Sequence, residues 1–339
     1  MKRNNMACCY FPTTVLFLDD KEEFLKSLSL SLDKNLVYRT FSNPEVAKDF
    51  LYQERGFNFQ KHRWLFNLHE KNELNYRHAH SFINFDISKI YKEIYSLNKF
   101  REISVIVVDY MAPCMHGLEF SRWIKRIDNN LIKIFMLTDE ADEELAIAAF
   151  NEGIIDRFIK KNAPMFEFEL NNAINSLQFK YFCDLTKNLT DSLSLSEDCA
   201  LNDPVFIDFF KELIWKHNFV EYYLIDEYGS FLLLDISGKP SWLVIKSNNI
   251  VKQYYHIAED NFAPEAIKEV LAKFEKNPFF FTQESTEMPV TKWGDYLHPA
   301  HKLIGKKNEY YIAFIEDTDN YDINSKEIIS YQKYLDALS

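Results

Sequence analysis

The stretch that most constrains this chain runs from Val105 to Gly117. Four β-branched residues, Val105-Ile106-Val107-Val108, deliver Asp109 into a loop punctuated by Pro113 and Gly117. A continuous apolar run of this kind reads as a strand buried on both faces. Open α/β sheets keep their chemistry beyond the carboxyl ends of such strands, so Asp109 stands where a reactive group is expected.

Three other segments repeat the pattern. Thr14 to Leu18 is apolar and ends in Asp19 and Asp20; Lys133 to Leu137 ends in Thr138; Asp156 to Lys160 runs into Lys161. Four strand ends would thus bring carboxylates, a hydroxyl and an ammonium together. In this order the segments resemble the receiver domains of two-component response regulators. Asp109-x-x-x-Pro113-x-x-x-Gly117 is similar to that family's phospho-acceptor loop, with Ala112 where a methionine is usual.

A carboxylate is a poor acceptor of an anionic phosphoryl group, because like charges repel. It needs a hard cation and fixed positive partners around the transferring oxygens. The resemblance assigns Mg2+ to Asp19, Asp20, Asp109 and the Met111 carbonyl, and the phosphoryl oxygens to Lys161 and Thr138. Thr138 and Phe158 would form the switch; Lys161 is preferred to Lys160 because Phe158 lies three residues before it. The competing reading is that these aspartates only cap helices. Asp139 stands after Thr138 where the family has a small residue, and Asn162 replaces its usual proline, so the rate of phosphorylation or its persistence should differ.

With 339 residues, 47% of them hydrophobic and 16% aromatic, the chain has material for about two packed domains. The expected fold is a flavodoxin-like, doubly wound α/β receiver over 1–163, a connector over 164–202, and an α+β output domain with an antiparallel sheet over 203–339. Met6 to Leu18 is too short and interrupted for a membrane span, which leads to a cytoplasmic expectation with no membrane partner. Five cysteines, Cys8, Cys9, Cys114, Cys183 and Cys199, show no CxxC spacing and read as reduced packed thiols.

Asp20 and Asp109 lie about twice as far apart as the family's spacing implies, and the extra length falls over about 54–101. It contains Lys61, His62, Arg63, Trp64, His69, Arg77, His78 and His80 before a helical Ile87 to Tyr95. Three readings stay open: a partner or anion site, a metal site, and a surface excursion whose helix packs on the receiver. Pro164 to Leu189 reads as one long helix, which could pair with its twin in a homodimer, and Ser192 to Asn202 as a hinge. Beyond it, Val205 to Trp215 reads as a helix, and Val220 to Asp226, Phe231 to Ile236 and Trp242 to Lys246 as three antiparallel strands. Further strands are expected at Phe279 to Thr282 and Tyr310 to Glu316, with a closing helix over Asn324 to Ala337.

The net charge of -12 and the absence of arginine after Arg157 disfavour direct DNA binding. His298 and His301, with Asp295 and Glu287, form the one cluster worth testing for catalysis in this half. Trp242, Trp293, Tyr254 and Tyr255 read as core or as a pocket lining. Tyr222-Tyr223-Leu224-Ile225, Gly229 to Asp235 and Pro240 to Leu243, together with the interrupted receiver, resemble the LqsR-type response regulators of quorum sensing. That resemblance implies a sensor histidine kinase or phosphotransfer protein as donor, dimerisation on phosphorylation, and a noncanonical output. Lacking a basic, arginine-bearing recognition helix, the output does not read as a helix-turn-helix, and it reads as signalling rather than enzymatic. The output reads first as an interaction module for an unidentified downstream partner. The alternative is binding or processing of nucleotides or nucleic acid, which a basic cleft formed by Lys246, Lys252, Lys302, Lys306 and Lys307 would favour.

Overall fold

The computed structural model describes residues 6–58, 87–110, 117–127, 130–139, 143–280, 288–316 and 321–338. These fall into two compact units. One draws on the described residues of 11–58, 97–185 and 334–338; the other on those of 6–10, 87–96 and 186–333. The crossing from Leu185 to Thr186 lies inside the expected connector.

The chain starts in the second unit with β1 (Cys9–Tyr10) and then enters the first. There β2 (Thr14–Leu18), β3 (Tyr38–Phe41), β4 (Ile103–Asp109), β5 (Lys133–Thr138) and β6 (Arg157–Lys160) form a parallel sheet in the order β3-β2-β4-β5-β6. Because side chains alternate along a strand, each central strand feeds two cores. Val15, Phe17, Val105, Val107, Phe135 and Leu137 face one core, built with α1 (Glu22–Ser31) and α6 (Phe166–Leu185). The alternate residues Leu16, Ile106, Val108, Ile134 and Met136 are also fully buried, as the continuous apolar runs require. Among the described residues this unit also contains α2 (Pro44–Asn58), α4 (Gly117–Ile127) and α5 (Glu143–Asn151). This is the doubly wound, flavodoxin-like arrangement, and its strand order reverses between β2 and β4. The reversal sets Asp19, Asp20 and Asp109 at adjacent strand ends.

The second unit is built on an antiparallel sheet. Its described strands are β1, β7 (Phe219–Leu224), β8 (Phe231–Asp235), β9 (Pro240–Ser247), β13 (Glu309–Ile315) and β12 (His301–Ile304), in that spatial order. A separate pair joins β10 (Lys276–Pro278) to β11 (Leu297–Pro299). One sheet face packs on α7 (Lys187–Leu193) and α8 (Pro204–His217); α9 (Asn248–Asp260) and α10 (Glu265–Ala272) build a smaller core. The β7–β8 turn is set by Asp226, whose Oδ1 accepts from the backbone N–H groups of Tyr228, Gly229 and Ser230 at 3.0, 3.1 and 2.9 Å. Gly229 supplies the positive φ of 109° that this turn requires.

Asp203 caps α8: its Oδ1 accepts from Val205 N at 3.0 Å while its Oδ2 accepts from Lys306 N at 2.7 Å. Gly305 lets the second bond form, since a Cβ there would lie 2.3 Å from Asp203 Oδ2. Asp203→Ala removes the cap and the tie to the β12–β13 hairpin together, and about 1.5 kcal/mol of stability should go with them. A shift in urea midpoint measures it, and an unchanged midpoint would refute the double role.

Several expectations are corrected. The helix over Pro164 to Leu189 breaks at Thr186, whose hydroxyl Oγ1 accepts from the backbone N–H of Cys8 at 3.0 Å. The helix that closes the insertion, α3 (Ile87–Ile94), groups with the second unit and not with the receiver. Ile94 O accepts from Ile329 N at 3.0 Å, and Tyr95 Oη accepts from Asn324 N at 2.9 Å. Those bonds also occupy residues expected to be helical, so the closing helix is only α11 (Tyr331–Leu338). Of the strand expected at Phe279 to Thr282, Phe281 and Thr282 lie outside the described residues; the described strand here is β10, at Lys276–Pro278, where Asn277 is fully buried and its Nδ2 donates to Tyr311 O at 2.5 Å. Lys61, His62, Arg63, Trp64, His69, Arg77, His78 and His80 of the insertion, together with Cys114, lie outside the described residues.

Candidate functional site

The carboxyl ends of β2, β4 and β5, with the residue after β6, form one cluster. Asp19 and Asp109 are buried, at 2% and 4% exposure. Lys161 bridges them, with Nζ 2.8 Å from Asp19 Oδ2 and 2.9 Å from Asp109 Oδ1. Lys160 instead pairs with Glu143 at 2.7 Å. The two lysines alternate across the strand end, so one turns into the cluster and its neighbour turns away. The Phe24 ring lies under the Lys161 ammonium at 4.4 Å, and Lys21 N donates to Asp19 Oδ1 at 2.9 Å. Thr138 is fully buried, and its Oγ1 has no hydrogen-bond partner among the described residues.

Burial pushes the Asp109 pKa up, Lys161 opposes this, and Asp19 and Asp139 add to the rise, leaving it above the usual carboxylate value. Burial would lower the Lys161 pKa, but its bonds to Asp19 and Asp109 outweigh that and raise it. The ammonium therefore stays charged at neutral pH.

The acidic triad fits a hard divalent cation. One oxygen from each of Asp19, Asp20 and Asp109 lies within 4.8 Å of the others. Asp20 Oδ1 is buried without a hydrogen bond among the described residues, the condition of a donor available to a cation. Met111 lies outside the described residues. Phe158 is half-buried and meets the Phe150 ring edge-on at 6.3 Å. Gly117 is a feature whose reason the sequence did not disclose. A Cβ on it would lie 2.1 Å from the Asp109 carbonyl oxygen, so the first turn of α4 seats directly against the strand that presents the acceptor.

Residues 80–173 match the response regulator receiver domain family. The solved structure of the Legionella pneumophila response regulator LqsR is 33% identical, covering 98% of this chain and 96% of that one, with a TM-score of 0.79. The chain is a response regulator. A shorter stretch of 63 residues is 35% identical to the cyclic di-GMP phosphodiesterase response regulator RpfG of Xanthomonas campestris pv. campestris. That match covers 18% of this chain and only 17% of the length of the curated relative.

The second unit of this response regulator arranges its candidates differently. His298 sits on β11 with Nε2 2.5 Å from Tyr321 Oη, while His301 is exposed on β12. Asp295 lies in the 3-10 turn before β11, and Glu287 is outside the described residues. Burial and nearby Lys276 hold the His298 pKa below its ordinary value. Trp242 is fully buried between Phe279 and Tyr321, and Trp293 packs on Tyr254 and Phe280, so these rings are core. Lys246 is buried and paired with Asp226 at 2.8 Å; Lys302 pairs with Glu309 at 2.6 Å. Two of the five lysines that a basic cleft would need are thus neutralised within the unit. No described helix is long and apolar enough to cross a membrane.

Proposed function

We propose that this response regulator accepts a phosphoryl group on Asp109 from a sensor histidine kinase or phosphotransfer protein. Phosphorylation then controls formation of a homodimer. The observation that carries the reading is the Lys161 bridge between Asp19 and Asp109, beside the buried, unpartnered Thr138 hydroxyl.

The chemistry follows from those groups. Asp109 presents a carboxylate oxygen as nucleophile; Lys161 offers a fixed positive charge to the incoming phosphoryl oxygens, and Thr138 a hydroxyl donor. Asp19, Asp20, Asp109 and the Met111 carbonyl would hold Mg2+, which when bound neutralises charge on the transferring group. Once the carboxylate carries the phosphoryl group as an acyl phosphate, Lys161 loses one ionic partner and gains phosphoryl oxygens, while Thr138 turns toward them. Phe158 then moves into the space beside Thr138, changing the surface shared with Phe150. Moving such an equilibrium from 1:99 to 99:1 takes about 5.5 kcal/mol of differential stabilisation, part of it from the charge-assisted bonds of Lys161 and Thr138.

The output we assign is an interaction module in cytoplasmic, quorum-sensing-type signalling, acting on an unidentified partner without direct DNA binding. Pairing of Lys246 and Lys302 with carboxylates supports this over nucleotide or nucleic-acid binding. The test is the mass in solution by light scattering, with and without magnesium and acetyl phosphate, in the parent and in Asp109→Asn. Dimer formed only in the phosphorylated parent is the expected result. A parent that is phosphorylated on Asp109 yet unchanged in mass would overturn the dimer switch, and phosphorylation elsewhere would overturn the site.

A further inference from the structure

We infer that Asp139 selects the phosphodonor by charge, slowing transfer from small, highly anionic donors. This rests on the acceptor reading of Asp109. Asp139 directly follows β5, whose Leu137 pairs with Asp109 and whose Thr138 pairs with Lys160. The Thr138 carbonyl accepts from Lys161 N at 2.9 Å, which fixes the backbone leading into Asp139 beside the lysine of the site. Asp109 and Thr138 are buried below, whereas Asp139 is exposed at the rim.

Lys160 is occupied by Glu143, and Lys161 by Asp19 and Asp109. Asp139 has no ion pair among the described residues. The field of Asp139 reaches the acceptor, where it adds to the rise in the Asp109 pKa. A donor reaching the largely buried Lys161 from solvent would then do so within the field of the exposed Asp139. A cation bound by the three carboxylates below would leave this outer charge in place.

The repulsion scales with the charge of the donor. Acetyl phosphate arrives as a dianion; its phosphorus forms a bond to an Asp109 carboxylate oxygen as the bond to the acetate oxygen breaks, and acetate leaves with the electron pair. Phosphoramidate, protonated on nitrogen, arrives as a monoanion; the same bond forms to Asp109 while the P–N bond breaks, and ammonia leaves. A phosphohistidine on a protein partner can bring compensating cationic groups of its own to the rim, which neither small donor can do.

The experiment compares both donors on the full chain with magnesium present, in the parent, Asp139→Asn and Asp139→Glu. Asp139→Asn should speed phosphorylation about tenfold from acetyl phosphate but only about threefold from phosphoramidate. Asp139→Glu, which keeps the charge, should resemble the parent. Added salt should speed the acetyl phosphate reaction of the parent more than that of Asp139→Asn, because it screens the same repulsion. Equal acceleration from both donors, no acceleration from either, or a Glu variant as fast as the Asn variant would overturn the proposal. Absence of Asp109-dependent phosphorylation in every variant would instead overturn the acceptor reading beneath it.

Discussion

Replacing Lys161 with methionine is expected to slow phosphoryl incorporation about a hundredfold and to cost about 3 kcal/mol of stability in chelator at neutral pH. Lys161 is the ammonium between two carboxylates at 2% and 4% exposure, and its removal leaves both without that partner. The cost depends on pH in a defined direction. Asp109 already has a raised folded-state pKa, so its charged form disfavours folding above the unfolded value, and stability returns as pH falls through the raised pKa. Without Lys161 that pKa rises further, so the deficit should shrink as pH falls through it. Lys161 itself has a raised pKa and contributes fully below its unfolded value, so the deficit should also fade as pH rises through its folded value. Magnesium should stabilise the variant more than the parent, because the carboxylates no longer share an ammonium. Thermal unfolding across pH, with and without magnesium, measures all of this; a deficit that does not vary with pH would sink the electrostatic account.

Gly117→Ala is the second large effect, and two opposing terms decide its sign. Alanine favours a helix over glycine by about 1 kcal/mol, and Gly117 opens α4. Against this, the new Cβ would stand 2.1 Å from the Asp109 carbonyl oxygen, a backbone atom held in a central strand, so strand and helix must part. Overpacking of this kind costs up to about 3 kcal/mol, leaving a net loss of about 2 kcal/mol. Because the shift falls on the acceptor residue itself, phosphoryl incorporation should drop by roughly a hundredfold. Both readouts, melting temperature and incorporation, come from one variant. An alanine variant as stable and as reactive as the parent would show that α4 does not seat against Asp109.

The receiver was largely legible in sequence because its information is local. Val105 to Val108 and Lys133 to Leu137 are apolar runs that a buried parallel strand requires, and each ends in the side chain that the cluster uses. What could not be read depends on partners far along the chain. The two residues of β1 carry no periodicity; Cys9 and Tyr10 are strand only because Tyr223 and Tyr222 pair with them. Thr186 ends α6 through Cys8, 178 positions away, and Asn324 and Ile329 leave the helical pattern because Tyr95 and Ile94 take their backbone N–H groups. Gly117 reads as punctuation in the sequence, but the close approach it permits needs the assembled strand and helix. In the output unit the aromatic residues pack on one another as core, which composition could not separate from a pocket.

The polypeptide passes between its two units at 10/11, again between residues 58 and 87, and then at 96/97, 185/186 and 333/334. Many multidomain regulators can diversify when a recombination event joins one module to another at a single junction. Here no single breakpoint yields both units whole. A fragment ending at residue 185 would keep β1 without β7 and would lose the C-terminal residues that belong with the first unit. Descent in such a lineage should therefore preserve the two halves together, and the similarity to LqsR extends over 98% of the chain rather than stopping at the receiver.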